Sequence, residues 1–257
     1  MDYLSAVVLG VVQGLTEFLP VSSSGHLILA RDFFGLQTTS DLAVDAVLQL
    51  ATVLAVGLYF WRDLRRLLIS FFQIISGQTV NPTDRTLLFA IILGTIPALL
   101  AGLFLEDYME TVFRSALVVA IMLLLGSILM FLAEKFGKQL NTLSVNKGVG
   151  VCLFQMLALI PGMSRSGATI SGGLLFGLSR EEATRFSFLL SFPIILGSGL
   201  KKFIELGTTH ALDAIAGPLT LAFILAFAVG IASIHFLIRY LRRHSLMVFV
   251  YYRVALA

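Results

Sequence analysis

Two segments of this chain repeat one pattern, and each sets polar, chemistry-bearing residues beside helix breakers in strongly apolar surroundings. The first runs from Gln13 through Glu17, Pro20, Ser22, Ser23, Ser24 and Gly25 to His26; the second runs from Gln155 through Pro161, Gly162, Ser164, Arg165, Ser166 and Gly167 to Thr169. A shift of 142 positions lays Gln13 on Gln155, Ser22 on Ser164, Ser24 on Ser166 and Gly25 on Gly167. The surroundings turn this repeat into a constraint. The chain is 58% hydrophobic and only 13% charged, where a soluble domain carries roughly 25% charged residues. Its core must therefore be built against lipid. Irregular backbone at membrane depth is tolerated only where protein buries it or where it lines a polar cavity. Broken segments in corresponding positions of two halves point to a site at the interface between them.

Apolar runs over about 42–61, 86–105, 115–134, 186–204 and 215–238 each approach the roughly 20 residues that span a bilayer as a helix. A shorter run covers 245–257, and no cleavable signal is expected at the start. Between the runs the charges alternate. Arg62, Arg65, Arg66 and Arg85 form one basic connection, Lys135, Lys138 and Lys147 a second, and Arg239, Arg242 and Arg243 a third; Glu106, Asp107 and Glu110, and more weakly Glu205 and Asp213, mark the acidic ones. The positive-inside rule puts the basic connections in the cytoplasm. Segment 148–178 then starts and ends on the cytoplasmic side and is too short to cross twice, so it reads as a re-entrant pair of half-helices. By the same bookkeeping 1–34 is a re-entrant pair entered from outside. The expectation is one all-α polytopic membrane domain, 1–257, of two inverted repeats (about 1–134 and 148–257) with about six transmembrane helices.

Ionisable groups at such depth are expensive and mark function by default. Gln13 and Glu17 are four residues apart and share a helix face; Pro20 ends that helix. The buried carboxylate needs a metal, a proton or an arginine. Arg165 supplies a planar fork suited to phosphate oxygens, with hydroxyls from Ser164, Ser166 and Thr169 around it. A half-helix starting near 167 favours an anion at its N-terminus. Together the two breaks suggest a site for a metal-bound phosphate, although a plainer reading leaves Glu17 and Arg165 simply paired with each other. Among weaker signals, Asp45 near an outer end reads as solvated, Gln49 and Ser191 correspond under the shift, Thr95-Ile96-Pro97 marks a kink, and Arg180, Glu181, Glu182 and Arg185 read as a solvated helix start capped by Ser179. The lone Cys152 reads as a packed small hydrophobe. The net charge of +3 suits basic loops and gives no argument for nucleic acid.

The segment Gln13–His26 resembles the first signature of the undecaprenyl-diphosphate phosphatase family, of the bacitracin-resistance type, and Pro161–Thr169 resembles its second. Asp45–Leu50, Gly94–Pro97 and Tyr252-Arg253 also look like that family, so the resemblance covers essentially the whole chain. It implies a bacterial inner-membrane enzyme that removes the terminal phosphate of a C55 isoprenyl diphosphate, recycling the lipid carrier of cell-wall synthesis, and that uses a divalent cation, Mg²⁺ or Ca²⁺. The family's functional positions fall on Glu17, Ser23, His26, Ser164, Arg165 and Thr169. On this reading Ser23 is the nucleophile candidate, with water attack a close rival. His26 is its base or the acid for the leaving group. Ser22, Ser24, Ser164, Arg165, Ser166 and Thr169 hold the phosphate, and Glu17 with Gln13 holds the metal. Many members of the family carry Glu where this chain has Gln13, which leaves one acidic metal ligand fewer here. The rival class is a lipid-phosphate flippase, which needs anion binding but no nucleophile. A homodimer is compatible with the sequence.

Overall fold

A computed structural model describes residues 1–36, 41–111, 115–138, 142–207 and 215–257, without the side chains of 42, 43, 103, 105–111, 202 and 205–207. The acidic side chains of Glu106, Asp107, Glu110, Glu205 and Asp213 therefore lie outside the described residues. Eleven helices are described and no strand: α1 (Tyr3–Thr16), α2 (Ser23–Phe34), α3 (Asp41–Tyr59), α4 (Trp61–Ile75), α5 (Pro82–Thr111), α6 (Ala116–Phe136), α7 (Val145–Leu157), α8 (Arg165–Leu175), α9 (Arg180–Gly207), α10 (Ala216–Leu241) and α11 (Met247–Leu256). The chain is an all-α polytopic membrane protein. Helices α5, α6, α9 and α10 are each long and apolar enough to cross a bilayer, and α3 with α4, bent by 81° at their junction, makes up to a fifth span. The first basic connection is itself largely helical: α4 carries Arg62, Arg65 and Arg66 beside the exposed Leu68, Ile69, Phe71, Phe72 and Ile75. That pattern suits a helix lying in the interface. The final run becomes α11, about 15 Å long at 1.5 Å per residue, packed against α6.

Ion pairs gather the basic connections onto one face. Arg185, near the start of α9, reaches Asp63 at the α3–α4 elbow (2.5 Å), and Arg66 lies 3.8 Å from Asp84 in the first turn of α5. Arg242 at the end of α10 bonds Glu181 (2.5 Å), and Arg180 grips Glu134 near the end of α6 through two nitrogens at 2.9 and 2.5 Å. The Leu246 amide, just before α11, donates to the same Glu134 (2.7 Å). The exposed pair Arg242–Glu181 contributes at most about 1 kcal/mol, and the pairs together serve here as markers of placement. Ser179 caps α9 as the sequence suggests, accepting from the Glu182 amide, but the turn it caps is a junction of three helices rather than a free solvated end.

Close backbone approaches fix direction. A Cβ on Gly10 would stand 2.5 Å from the Ala222 carbonyl oxygen, and one on Gly14 2.8 Å from that of Ala226. Both numbers rise together, so α1 runs parallel to α10, toward the basic face. Cβ atoms on Gly148 and Gly94 would strike Ala90 and Cys152 respectively. Helix α7 therefore runs parallel to α5, away from the basic face. The two broken segments enter from opposite sides, as the charge bookkeeping requires. At about 21 Å and 20 Å, α1 and α7 are too short to cross the roughly 30 Å hydrocarbon core, and their tips meet inside the protein. The core closes over that meeting point: Phe18 at the tip of α1 packs edge-on to Phe188 of α9 with ring centres 5.3 Å apart, and both are buried.

Candidate functional site

The two breaks are built alike. Pro20 and Pro161 follow the ends of α1 and α7, and the chain then reverses through Ser22 (φ 76°) and Ser164 (φ 70°), the two non-glycine residues with positive φ among those described. Such backbone costs about 1–3 kcal/mol per residue and persists only where surroundings over-determine it. Here each serine caps the helix it opens: Ser22 Oγ accepts from Gly25 N–H (3.4 Å) and Ser164 Oγ from Gly167 N–H (3.2 Å). The breaks also lock to each other. Gly162 N–H donates to Ser22 Oγ (3.1 Å), and Ser166 Oγ donates to the Leu19 carbonyl (3.2 Å). Consequently α2 and α8 both begin at this junction, and two helix N-termini offer free N–H groups and positive dipole ends to one place.

Glu17 occupies the centre, buried. Its Oε2 accepts from Ser23 O–H (2.6 Å) and from Gln13 Nε2 (2.9 Å), while its Oε1 pairs with Arg165 Nη2. The carboxylate thus joins residues from both breaks, and the pairing of Glu17 with Arg165 is real. It does not use up the guanidinium: Nη2 alone is engaged, and the rest of the fork bonds no other described side chain. The Ser23 proton points at Glu17 rather than at His26. His26 turns the other way, with Nδ1 2.8 Å from the Ser22 carbonyl and Nε2 2.7 Å from the Tyr252 hydroxyl, its ring stacked on Tyr252. A carbonyl only accepts, so in the neutral ring Nδ1 carries the proton and Nε2 accepts from Tyr252. Tyr252 and Ser24 are exposed and Ser23 and His26 half-buried, which makes this side the mouth of the site.

The remaining candidates sit deeper. Thr169, fully buried, donates to the Arg165 carbonyl (2.8 Å) and meets Ser187 Oγ at 2.5 Å, so it braces the turn that carries Arg165. Ser22, Ser164 and Ser166 spend their hydroxyls on the junction itself. Of the six candidate phosphate ligands, Ser24 and Arg165 keep accessible donors.

Arg253 is the residue that sequence reasoning left without a role. Fully buried on α11, it donates to the Pro20 carbonyl of the first break (3.2 Å) and the Gly162 carbonyl of the second (2.9 Å). It also reaches the Met122 and Leu123 carbonyls and Ser127 Oγ of α6. The signal was present: an arginine in an apolar run is costly enough to need a reason. Asp45, expected to be solvated, is instead largely buried and paired with the buried Arg31 of α2 at 2.5 Å. That arginine, unpaired in the linear sequence, needs a carboxylate once folded inside.

The donor set bears on a divalent cation. Among the described residues no group of three His, Cys, Asp or Glu converges. Gln13 Oε1, however, is buried without a hydrogen-bond partner beside Glu17. A carbonyl oxygen and a carboxylate are the hard ligands that Mg²⁺ and Ca²⁺ take, Mg²⁺ commonly with only one or two protein carboxylates plus phosphate oxygens and water. The residues present fit such an ion. The corresponding Gln155 has both amide atoms buried without a partner. The shift puts Leu159 in the place of Glu17, so the second half has no carboxylate.

A family model described as bacitracin resistance protein BacA matches residues 6–257. The undecaprenyl-diphosphatase of Rubrobacter xylanophilus is 44% identical, covering 100% of this chain and 96% of that protein. That of Micrococcus luteus is 41% identical over 100% and 95%, and that of Geotalea daltonii 41% over 100% and 96%.

Proposed function

Since the chain belongs to the bacitracin resistance protein BacA family, we propose that it hydrolyses undecaprenyl diphosphate to undecaprenyl phosphate and inorganic phosphate at the junction of its two helix breaks. The observation that carries this is the convergence of Ser23 and Arg165, from opposite breaks, onto the buried Glu17 carboxylate. A site that only bound an anion would have no use for a serine hydroxyl aimed at a carboxylate.

Ser23 Oγ attacks the terminal phosphorus, and its proton passes to Glu17 Oε2, already 2.6 Å away. The bond from that phosphorus to the bridging oxygen breaks, and the lipid monophosphate leaves with the electron pair. Water then bonds to the phosphorus of the phosphoserine, the bond from phosphorus to Ser23 Oγ breaks, and Ser23 takes back its proton from Glu17 as phosphate is released. Arg165 and the N-termini of α2 and α8 stabilise the charge spread over the transferred group. His26, held by Tyr252 at the mouth, supplies a proton from Nε2 to the leaving monophosphate when its ring carries both protons. A divalent cation held by Glu17 and Gln13 Oε1 would neutralise phosphate charge when bound. The mouth faces away from the deep end of α8, toward the periplasmic half of an inner membrane. The lipid tail lies along the apolar helix surfaces outside it.

The inverted half-helices also favour a carrier, so the test must separate the two. Purified protein is given a long-chain isoprenyl diphosphate, with Mg²⁺, Ca²⁺ or EDTA, and phosphate is measured. Metal-dependent release supports the hydrolase. No release from folded protein that still binds the lipid overturns it in favour of the carrier.

A further inference from the structure

At the α3–α4 elbow, on the basic face and away from the Glu17 junction, a cavity of about 640 Å³ is lined by Leu58, Tyr59, Trp61, Arg62, Asp63, Arg66 and Arg185. Nothing in the hydrolytic reading uses it. Three arginines and one aspartate leave the lining cationic. Asp63 binds both Arg66 and Arg185, drawing together guanidinium groups from α4 and α9 whose side chains remain about half exposed (54% and 47%). Asp63 engages one nitrogen of each, and Arg66 also lies 3.8 Å from Asp84; a guanidinium has five N–H donors, so both forks keep donors for a ligand. Arg62 has no ion pair among the described residues and adds a whole charge.

The rest of the lining is largely apolar. Leu58 and Trp61 are each 61% exposed, and α4 continues from them with its apolar residues turned to the membrane. Tryptophan with arginine at a helix end is the side-chain combination of the membrane–water interface. The cavity therefore has a cationic, hydrogen-bonding side and a wall in contact with hydrocarbon. The positive-inside rule places it in the cytoplasmic leaflet, where basic pockets between membrane helices bind lipid head groups. A soluble anion would satisfy the arginines but leave the Leu58–Trp61 wall without an occupant.

We propose that this elbow is a binding site for the phosphate head group of an anionic lipid of the cytoplasmic leaflet, whose tails lie against Leu58, Trp61 and α4. The occupant bridges α4 and α9 beside Asp63.

The test uses the full chain in detergent with phosphatidylglycerol or phosphatidylcholine, and counts retained lipid by native mass spectrometry. The variants are Arg62→Gln, Arg185→Gln and, as a control on the same face but outside the cavity, Arg243→Gln. Phosphatidylglycerol should be retained in preference to phosphatidylcholine, with affinity falling about fivefold for each cavity arginine removed, the effect of one interfacial charge. Arg243→Gln should match wild type. Arg62 anchors no other side chain among the described residues, so Arg62→Gln keeps its fold, which its melting curve checks. Equal retention of both lipids, an equal loss in Arg243→Gln, or full displacement by millimolar inorganic phosphate would each overturn the proposal, the last by making the site one for a soluble anion.

Discussion

Removing the Arg253 side chain should loosen both halves of the site at once, and the size of the effect follows from its contacts. Arg253→Met keeps length and apolar volume but abandons five acceptors, the carbonyls of Pro20, Met122, Leu123 and Gly162 and the Ser127 hydroxyl. Hydrogen bonds between membrane helices average about 0.6 kcal/mol because the unfolded reference also finds partners, so the loss is about 3 kcal/mol. For a protein of this size that lowers the melting temperature by about 6–12 °C. Turnover should fall as well, since Pro20 and Gly162 belong to the two breaks that bring Ser23, Glu17 and Arg165 together. Thermal unfolding in detergent, followed by circular dichroism with phosphate release beside it, reads both. Arg253→Lys should fall between, because an ammonium reaches fewer carbonyls than the fork. Gly126→Ala tests the same contact from the other side, since its Cβ would strike Arg253 Nη2. An Arg253→Met protein that melts within 2 °C of wild type and turns over normally would refute the tether.

Further outcomes follow from the same contacts. Arg165→Lys should reduce kcat about 100-fold or more, because a point charge replaces the fork that stabilises the transferred phosphoryl group; steady-state kinetics with substrate retention measured alongside checks it. Tyr252→Phe keeps the ring stack but frees His26 Nε2, so kcat should drop while KM and the melting temperature hold. Gly94→Ala drives a methyl into Cys152 Sγ and should cost about 1–3 kcal/mol. Cys152→Ala in the same chain should return part of that, a coupling of at least about 0.5 kcal/mol in a double-mutant cycle.

The architecture was legible where physics leaves few choices. Apolar runs of spanning length, loops of alternating charge and Pro20 or Pro161 inside a hydrophobic stretch led to the half-helices and their opposite entry. A buried Glu17 in one break and Arg165 in the other could be matched because neither charge is tolerable alone. What the sequence hides depends on side-chain direction. His26 lies three residues from Ser23 on one helix, a spacing that allows contact, yet Ser22's positive φ turns the Ser23 hydroxyl onto Glu17 and leaves His26 to Tyr252. Nothing in the string distinguishes Ser22 or Ser164 as residues of unusual backbone. Arg31 and Asp45 are 14 positions apart on different helices, and Arg253 joins segments more than 90 residues distant. In the string the arginines of the α3–α4 elbow mask the apolar side of α4, so the segment looks like a connection.

The central claim is that the junction of the two breaks is hydrolytic, with Ser23 as the attacking group and Glu17 as its proton acceptor. Single-turnover phosphate release from a long-chain isoprenyl diphosphate, measured for wild type, Ser23→Ala and Glu17→Gln together with lipid retention, tests it most directly. Both variants should keep the lipid and lose about 10²–10⁴-fold in rate, the contribution of a positioned base and its nucleophile. A Ser23→Ala protein releasing phosphate at the wild-type rate would contradict the account.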